Sequence, residues 1–441
     1  MSDGVNGGGA SLGSRCVLLS IPGLRESDLT AMPRLVNLMS RGVTVPLRPD
    51  FPAVTCPVHA ALTTGVGPAE HGITANGFYW RDGTDVPEHS KQGTVELWTA
   101  WEGAVRAPRV WDRLKAADAS LTSAVWFPMP AKGATAETIC TPAPIHNPDG
   151  SESLWCYTKP AELYGELMGE LGHFPLMNFW GPLSSVKSSQ WIADSAVAAQ
   201  RSHPTRFLYA YLPHLDYAAQ KFGPESEQHQ TAVAELDGVI GGMADGLHEA
   251  FAGDDCDWIV AGEYAVTPVS GPVFPNTALR ETGWLAPGRG IVERDGHEYL
   301  DPKTADAWAL CDHQLAHIYV KDPSQIARIM IDLSQFEGLQ SLSAKEGRLH
   351  GLNQPRAGDI VAAAPADRWF AYYWWTDEEK APPFARTVDI HRKPGYDPVE
   401  MFLKPGTRET PLDASLVQGS HGLSRETGGG AATDSVLLLS D

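Results

Sequence analysis

The sequence predicts an α/β fold: a doubly wound, mainly parallel sheet with helices on both faces and inserted cap segments. Three observations predict it. Short, wholly apolar runs recur along the chain, helix-period segments lie between them, and polar clusters rich in Pro, Gly and His follow the runs directly. Strands buried on both faces read as such runs, and their alternation with helices marks a parallel sheet.

The elements follow in order. Cys16, Val17, Leu18, Leu19, Ser20 and Ile21 make the first strand, stopped by Pro22 and Gly23. Residues 28–39 then place Leu29, Met32, Leu35, Val36, Leu38 and Met39 at helical spacing. A second strand is expected over 206–212, a third over 257–261 and a fourth over 316–320, with helical patterns over 191–200 and 231–251. Residues 84–187, dense in Trp, Pro and Gly, lack clear periodicity and are expected to cap the site or elaborate one edge. Residues 322–356 are expected to form a small accessory lobe. The run from Trp369 through Tyr372 and Tyr373 to Trp375 reads either as a base-stacking surface or as a buried aromatic strand. The domain expectation is a disordered tail over 1–14, one α/β domain over 15–426, and a loose tail over 427–441 opened by Gly428, Gly429 and Gly430.

Composition narrows the function classes. The 441 residues are 43% hydrophobic, enough for a sizeable core without staples. The formal charge of −20, from 54 acidic against 34 basic residues, argues against a nucleic-acid polymer or an anionic membrane as partner. A small anionic substrate is compatible with it, because a metal or a helix N-terminus reverses the local field. Six scattered cysteines without a C-x-x-C pair read as free thiols in a reducing compartment. No cationic start precedes an apolar run, and no apolar stretch approaches membrane-spanning length. The expected location is the cytoplasm, and nothing in the sequence reports oligomeric state.

In a sheet of this kind chemistry gathers where the strands end. The richest stretch is Phe51-Pro52-Ala53-Val54-Thr55-Cys56-Pro57-Val58-His59, followed by Thr64-Gly65 and by Glu70-His71-Gly72-Ile73-Thr74-Ala75-Asn76. After the second strand come Pro213, Asp216, Gln220 and Gly223-Pro224; after the third, Glu263-Tyr264-Ala265; near the end, Gly419-Ser420-His421-Gly422. On local grounds Thr55 reads as a helix N-cap, since Pro57 suits a first turn. His59 and His71 read as structural residues bonding loop carbonyls, and Cys56 as a packing residue.

These four motifs, in this order, closely resemble the phosphodiesterase and nucleotide pyrophosphatase branch of the alkaline phosphatase superfamily. The resemblance implies an alkaline phosphatase-like fold and hydrolysis of a phosphodiester or pyrophosphate bond in a small phosphorylated substrate. It implies Thr55 as nucleophile and metal contact, Asn76 as donor to a phosphoryl oxygen, and Asp216, Glu263 and His421 as metal ligands. The implied cofactor is a divalent metal, zinc or manganese, as one or two ions. Three positions depart from the pattern. Pro22 stands where the family has an Asp ligand, Gln220 where it has a His, and Tyr264 where it has a second His. Substitute ligands or a phosphate clamp are sought in His214, His313, His391 and Arg392. The departures also admit another class of function, a catalytically silent relative that binds a phosphorylated ligand or a protein. A sulfatase-like reaction is disfavoured, since Cys56-Pro57 lacks the Cys-x-Pro-x-Arg spacing.

Overall fold

The computed structural model describes residues 14–146, 152–344 and 351–440. An eight-stranded sheet forms its centre. In chain order the strands are β1 (Arg15–Ser20), β2 (Val43–Leu47), β3 (Ser123–Trp126), β4 (Thr138–Pro142), β5 (Cys156–Lys159), β6 (Phe207–Tyr211), β7 (Cys256–Ala261) and β12 (Ser435–Leu439). Their spatial order is β2-β12-β7-β1-β6-β3-β4-β5. The pairs β7–β1, β1–β6, β6–β3 and β3–β4 are parallel; β12 runs antiparallel to both its neighbours, and β5 is antiparallel to β4. Every residue of β6 is buried, as a strand covered on both faces requires. Val17 and Leu19 are wholly buried in β1, each worth roughly 2 kcal/mol of apolar burial.

Helices α1 (Pro33–Leu38), α3 (Val186–Ser202), α4 (His214–Phe222) and α5 (Glu227–Ala250) pack together around this core. The helical pattern over 28–39 is split in two: a short 3-10 turn over Glu26–Ala31, then α1, with Pro33 opening α1 where its missing N–H costs nothing. Helix α2 (Thr55–Thr64) ends at Gly65, whose φ of 73° supplies the left-handed cap that stops it.

A second core sits under a four-stranded antiparallel sheet built from β8 (Ala307–Asp312), β9 (Leu315–Val320), β10 (Leu342–Ala344) and β11 (Ile360–Ala363), in the order β8-β9-β11-β10. The strand expected over 316–320 therefore belongs to this lobe and not to the parallel sheet: it pairs antiparallel with β8 as a hairpin and with β11 on its other side. The accessory lobe expected over 322–356 contributes β10 and a helix over Ile326–Leu333 to the same unit. The aromatic run 369–375 is buried in this second core, which corresponds to the packing reading.

Residues 84–187 supply β3, β4 and β5, which extend the central sheet at one edge, the second of the two expectations for that segment. Their short lengths, broken by Pro and Gly, hid the strand pattern. Residues 435–439 are not a loose tail: the apolar run Ser435-Val436-Leu437-Leu438-Leu439 lies between β2 and β7. The three glycines before it masked a strand. Of the tail expected over 1–14, residues 1–13 lie outside the described residues. Among the described residues no helix is long and apolar enough to cross a membrane.

Register sets up the site. Ser20 at the end of β1 is level with Tyr211 of β6 and Ala261 of β7. The segments after these strands, with Pro22, Asp216 and Glu263, thus leave the middle of the sheet together at the carboxyl ends of the strands.

Candidate active site

Thr55 is the first residue of α2. The cap position belongs to Val54, whose backbone is extended and whose side chain makes no cap bond. The Thr55 hydroxyl is therefore free of capping duty and lies 3.0 Å from the Tyr264 phenol oxygen. It lines a small cavity of about 60 Å³ together with Asp216, His313, Tyr396 and a wall of apolar and aromatic side chains that includes Trp98 and Trp180. No Lys or Arg is among the lining residues.

Asp216, on the first turn of α4, is 4% exposed. Its Oδ2 accepts from Gln220 Nε2 at 2.9 Å, and Gln220 Oε1 accepts from the Tyr396 hydroxyl at 2.7 Å. Gln220 thus turns an N–H, not a lone pair, toward the carboxylate. Among the described residues Asp216 Oδ1 has no hydrogen-bond partner; it lies 3.6 Å from His421 Nε2, which has none among them either. Since His421 Nδ1 donates to the Ala53 carbonyl at 2.8 Å, a neutral ring keeps its lone pair on Nε2. With Asp216 ionised, two acceptors then face each other in a buried site. Burial pushes the Asp216 carboxyl up to about 7, and burial holds His421 well below its usual range. The short ladder Gly419–Ser420 on Thr267–Pro268 delivers His421 to this place.

The hairpin between β8 and β9 turns at His313 and Gln314, with His313 at a φ of 56°. His313 Nδ1 bonds Asp312 Oδ1 at 2.7 Å, and its ring stacks on Tyr396 with centroids 3.6 Å apart. It lies against His421 at 3.9 Å. Burial keeps it neutral, holding its pKa well below the ordinary range. Asp312 also takes both the backbone N–H and the side-chain amide of Asn76, at 2.7 and 3.1 Å. Asn76 Oδ1 accepts the Cys56 N–H at 2.8 Å. Asn76 thus ties the start of α2 to Asp312, and it is not among the residues lining the cavity.

Glu263 is turned elsewhere. With φ at 59°, its carboxylate Oε1 accepts from Ser20 Oγ at 2.6 Å and meets His59 Nε2 at 3.0 Å. His59 Nδ1 accepts the Met129 N–H, so Nε2 carries the proton and donates to Glu263. Glu263 borders a groove lined by Pro57, Val58 and Leu62, not the Thr55 cavity. His59 was expected to bond loop carbonyls; it bonds this carboxylate and a loop N–H. His71 Nδ1 accepts the Ile73 N–H at 3.1 Å.

The remaining candidates lie apart from the cavity. His214 Nε2 pairs with Glu235 at 2.8 Å. His391 is exposed, and Arg392, 72% exposed, pairs with Asp389 at 2.9 Å. From that segment it is Ile390 that reaches the cavity wall. Next to it, buried Lys393 holds Asp397 at 2.7 Å and Glu400 at 2.8 Å, anchoring the loop that carries Tyr396. The sequence places Lys393 with His391 and Arg392 in a turn-rich run expected to clamp phosphate or supply a ligand; in the structure Lys393 neutralises two carboxylates, and Tyr396 lines the cavity.

A model of the type I phosphodiesterase / nucleotide pyrophosphatase family matches residues 16–397. The chain belongs to that family. An uncharacterized pyrophosphatase/phosphodiesterase of Schizosaccharomyces pombe is 26% identical over 260 residues, covering 58% of this chain and 46% of that one. A bis(5'-adenosyl)-triphosphatase of Bos taurus is 23% identical over 260 residues, covering 58% and 48%. The chain thus spans about half the length of these relatives. Murine ectonucleotide pyrophosphatase / phosphodiesterase 5 shares the fold, with a TM-score of 0.57 and 17% identity over 97% of this chain and 88% of that one.

The fit of a metal pair to this family member divides in two. On the Tyr264 side, Pro22 has no ligand atom, Glu263 is bound to Ser20 and His59, and a phenol lies against Thr55. An ion does not fit there. On the other side, Asp216 Oδ1 and His421 Nε2 are orphaned and close, and a cation between them would satisfy both. Among the described residues no cluster of three or more His, Cys, Asp or Glu is arranged to hold an ion. Two protein donors leave such an ion weakly held.

Proposed function

We propose that the protein hydrolyses phosphodiester or pyrophosphate bonds in small phosphorylated molecules, with Thr55 as the phosphoryl acceptor. The observation that carries this reading is the Thr55 hydroxyl at the start of α2, uncapped and lining one cavity with Asp216. The helix start favours an anion beside Thr55. Thr55 Oγ1 loses its proton and bonds to phosphorus as the bond from phosphorus to the departing oxygen breaks and that oxygen takes up a proton; water then attacks phosphorus, the bond to Oγ1 breaks, and a proton from the water restores the hydroxyl. Asp216 and His421 would hold a divalent ion, zinc or manganese, whose chemistry is to polarise a phosphoryl oxygen. The aromatic wall fits an apolar or aromatic arm of the substrate better than a highly charged one. Positioning in line and exclusion of water would supply most of the rate. Six free cysteines go with a reducing compartment, which we propose is the cytoplasm.

The test is turnover of bis(p-nitrophenyl) phosphate by the full chain with zinc or manganese, alongside metal analysis of the purified protein. Turnover lost in Thr55→Ala supports the reading. A second reading, a silent relative that only binds a phosphorylated ligand, is favoured by the Tyr264 contact on Thr55 and the diverted Glu263. It gains if AMP binds while no substrate turns over with any ion.

A further inference from the structure

The disagreement on the Tyr264 side points beyond a missing ligand. The Tyr264 ring is wholly buried and stacks flat on His421, with centroids 3.8 Å apart and planes 10° from parallel. It belongs to a small buried cluster with Ala53, Val58, Ala219 and Val266. Its backbone carbonyl accepts the Gly23 N–H at 3.0 Å, so the Pro22-Gly23 turn holds it from behind. The phenol oxygen ends 3.0 Å from Thr55 Oγ1, and no other hydrogen-bond partner of the Thr55 side chain is found among the described residues. A rigid ring, fixed on three sides, thus delivers one hydroxyl to one oxygen. A threonine free to turn about its Cα–Cβ bond has several staggered positions, and a single buried hydrogen bond selects among them.

We propose that Tyr264 is a positioning residue for Thr55 and fills the volume beside it, so that the chain takes up at most one divalent ion. This rests on Thr55 as the reacting group for its kinetic consequence only; the ion count stands without it. The phenol holds the Thr55 oxygen toward the cavity while leaving Asp216 and His421 open to a cation. The ring cannot be replaced by an ion without moving His421, because the two rings share one face.

Two variants of the full chain test this. Tyr264→Phe keeps the ring on His421 and removes only the hydroxyl. With bis(p-nitrophenyl) phosphate its kcat is expected to fall roughly tenfold, the worth of one buried hydrogen bond, with KM unchanged. The double variant Pro22→Asp/Tyr264→His replaces the phenol with two donors. Manganese titration followed by electron paramagnetic resonance is expected to show no more than one isolated ion per wild-type or Tyr264→Phe chain, and a second, spin-coupled ion in the double variant. Two coupled ions on the wild type would overturn the proposal, as would a folded double variant that gains none. A Tyr264→Phe enzyme with unchanged kcat would overturn the positioning role. If the wild type turns nothing over, the hydrolase reading fails by itself and the ion count still decides this one; if the double variant does not fold, the wild-type count decides.

Discussion

His421 Nε2 faces Asp216 Oδ1 across 3.6 Å, and neither atom has a hydrogen-bond partner among the described residues. With the imidazole proton committed to the Ala53 carbonyl, both facing atoms are acceptors whenever the Asp216 carboxyl is ionised. Buried acceptors left unpaired cost folding free energy, typically 1–3 kcal/mol. The cost is retained where a ligand repays it.

Asp216→Asn is therefore expected to stabilise the protein while disabling the site. The amide can donate to His421 Nε2 and still accept from Gln220, removing the unpaired acceptors for a gain of about 1 kcal/mol. The urea midpoint should rise, and manganese uptake and turnover should both fall. A lower midpoint in the variant would contradict this account of the pair.

Acid should weaken the fold through two neutral histidines. Burial lowers His317 to about 4, against Asp312 and the Thr74 carbonyl, with Arg81 adding to the depression; burial lowers His71 to about 3, with Arg109 adding to it. Both stand below their unfolded value near 6.5, so stability is complete above that pH and is lost as pH falls through the folded values. His317 alone accounts for roughly 3 kcal/mol between the two limits. Urea unfolding from pH 7 down to pH 4 should show the loss, and His317→Gln should flatten the slope. An equal slope in the variant would remove His317 from the explanation.

Lys393 holds two buried carboxylates beside the cavity wall. Lys393→Met leaves Asp397 and Glu400 facing each other without a cation, at a cost of about 3–5 kcal/mol. Because Ile390 and Tyr396 lie on the same loop, KM for an aromatic phosphodiester should rise along with the loss of stability. Thermal melts and steady-state kinetics measure the two effects, and a melt like the wild type would contradict the charge assignment.

Much of this architecture was legible in the sequence, for a physical reason. The β6 run is buried on both faces and the β1 and β7 runs largely so, so each wrote a short apolar string, and the segments after them carried the polar residues. Thr55, Asp216 and His421 were legible as a motif, though not as a geometry. The direction of Glu263 was not, since it depends on a left-handed backbone and on Ser20 and His59 from other elements. The Thr55–Tyr264 contact joins residues 209 apart, which no local pattern reports. The last strand, 435–439, was hidden because three glycines suggested an end where the chain was only turning back.

The most direct test of the central claim is to quench the full chain during turnover of bis(p-nitrophenyl) phosphate and weigh its peptides by mass spectrometry. The expected result is a nitrophenyl-phosphoryl adduct on the peptide carrying Thr55, absent in Thr55→Ala together with turnover. Turnover that persists in Thr55→Ala, with no adduct on the wild type, would contradict it.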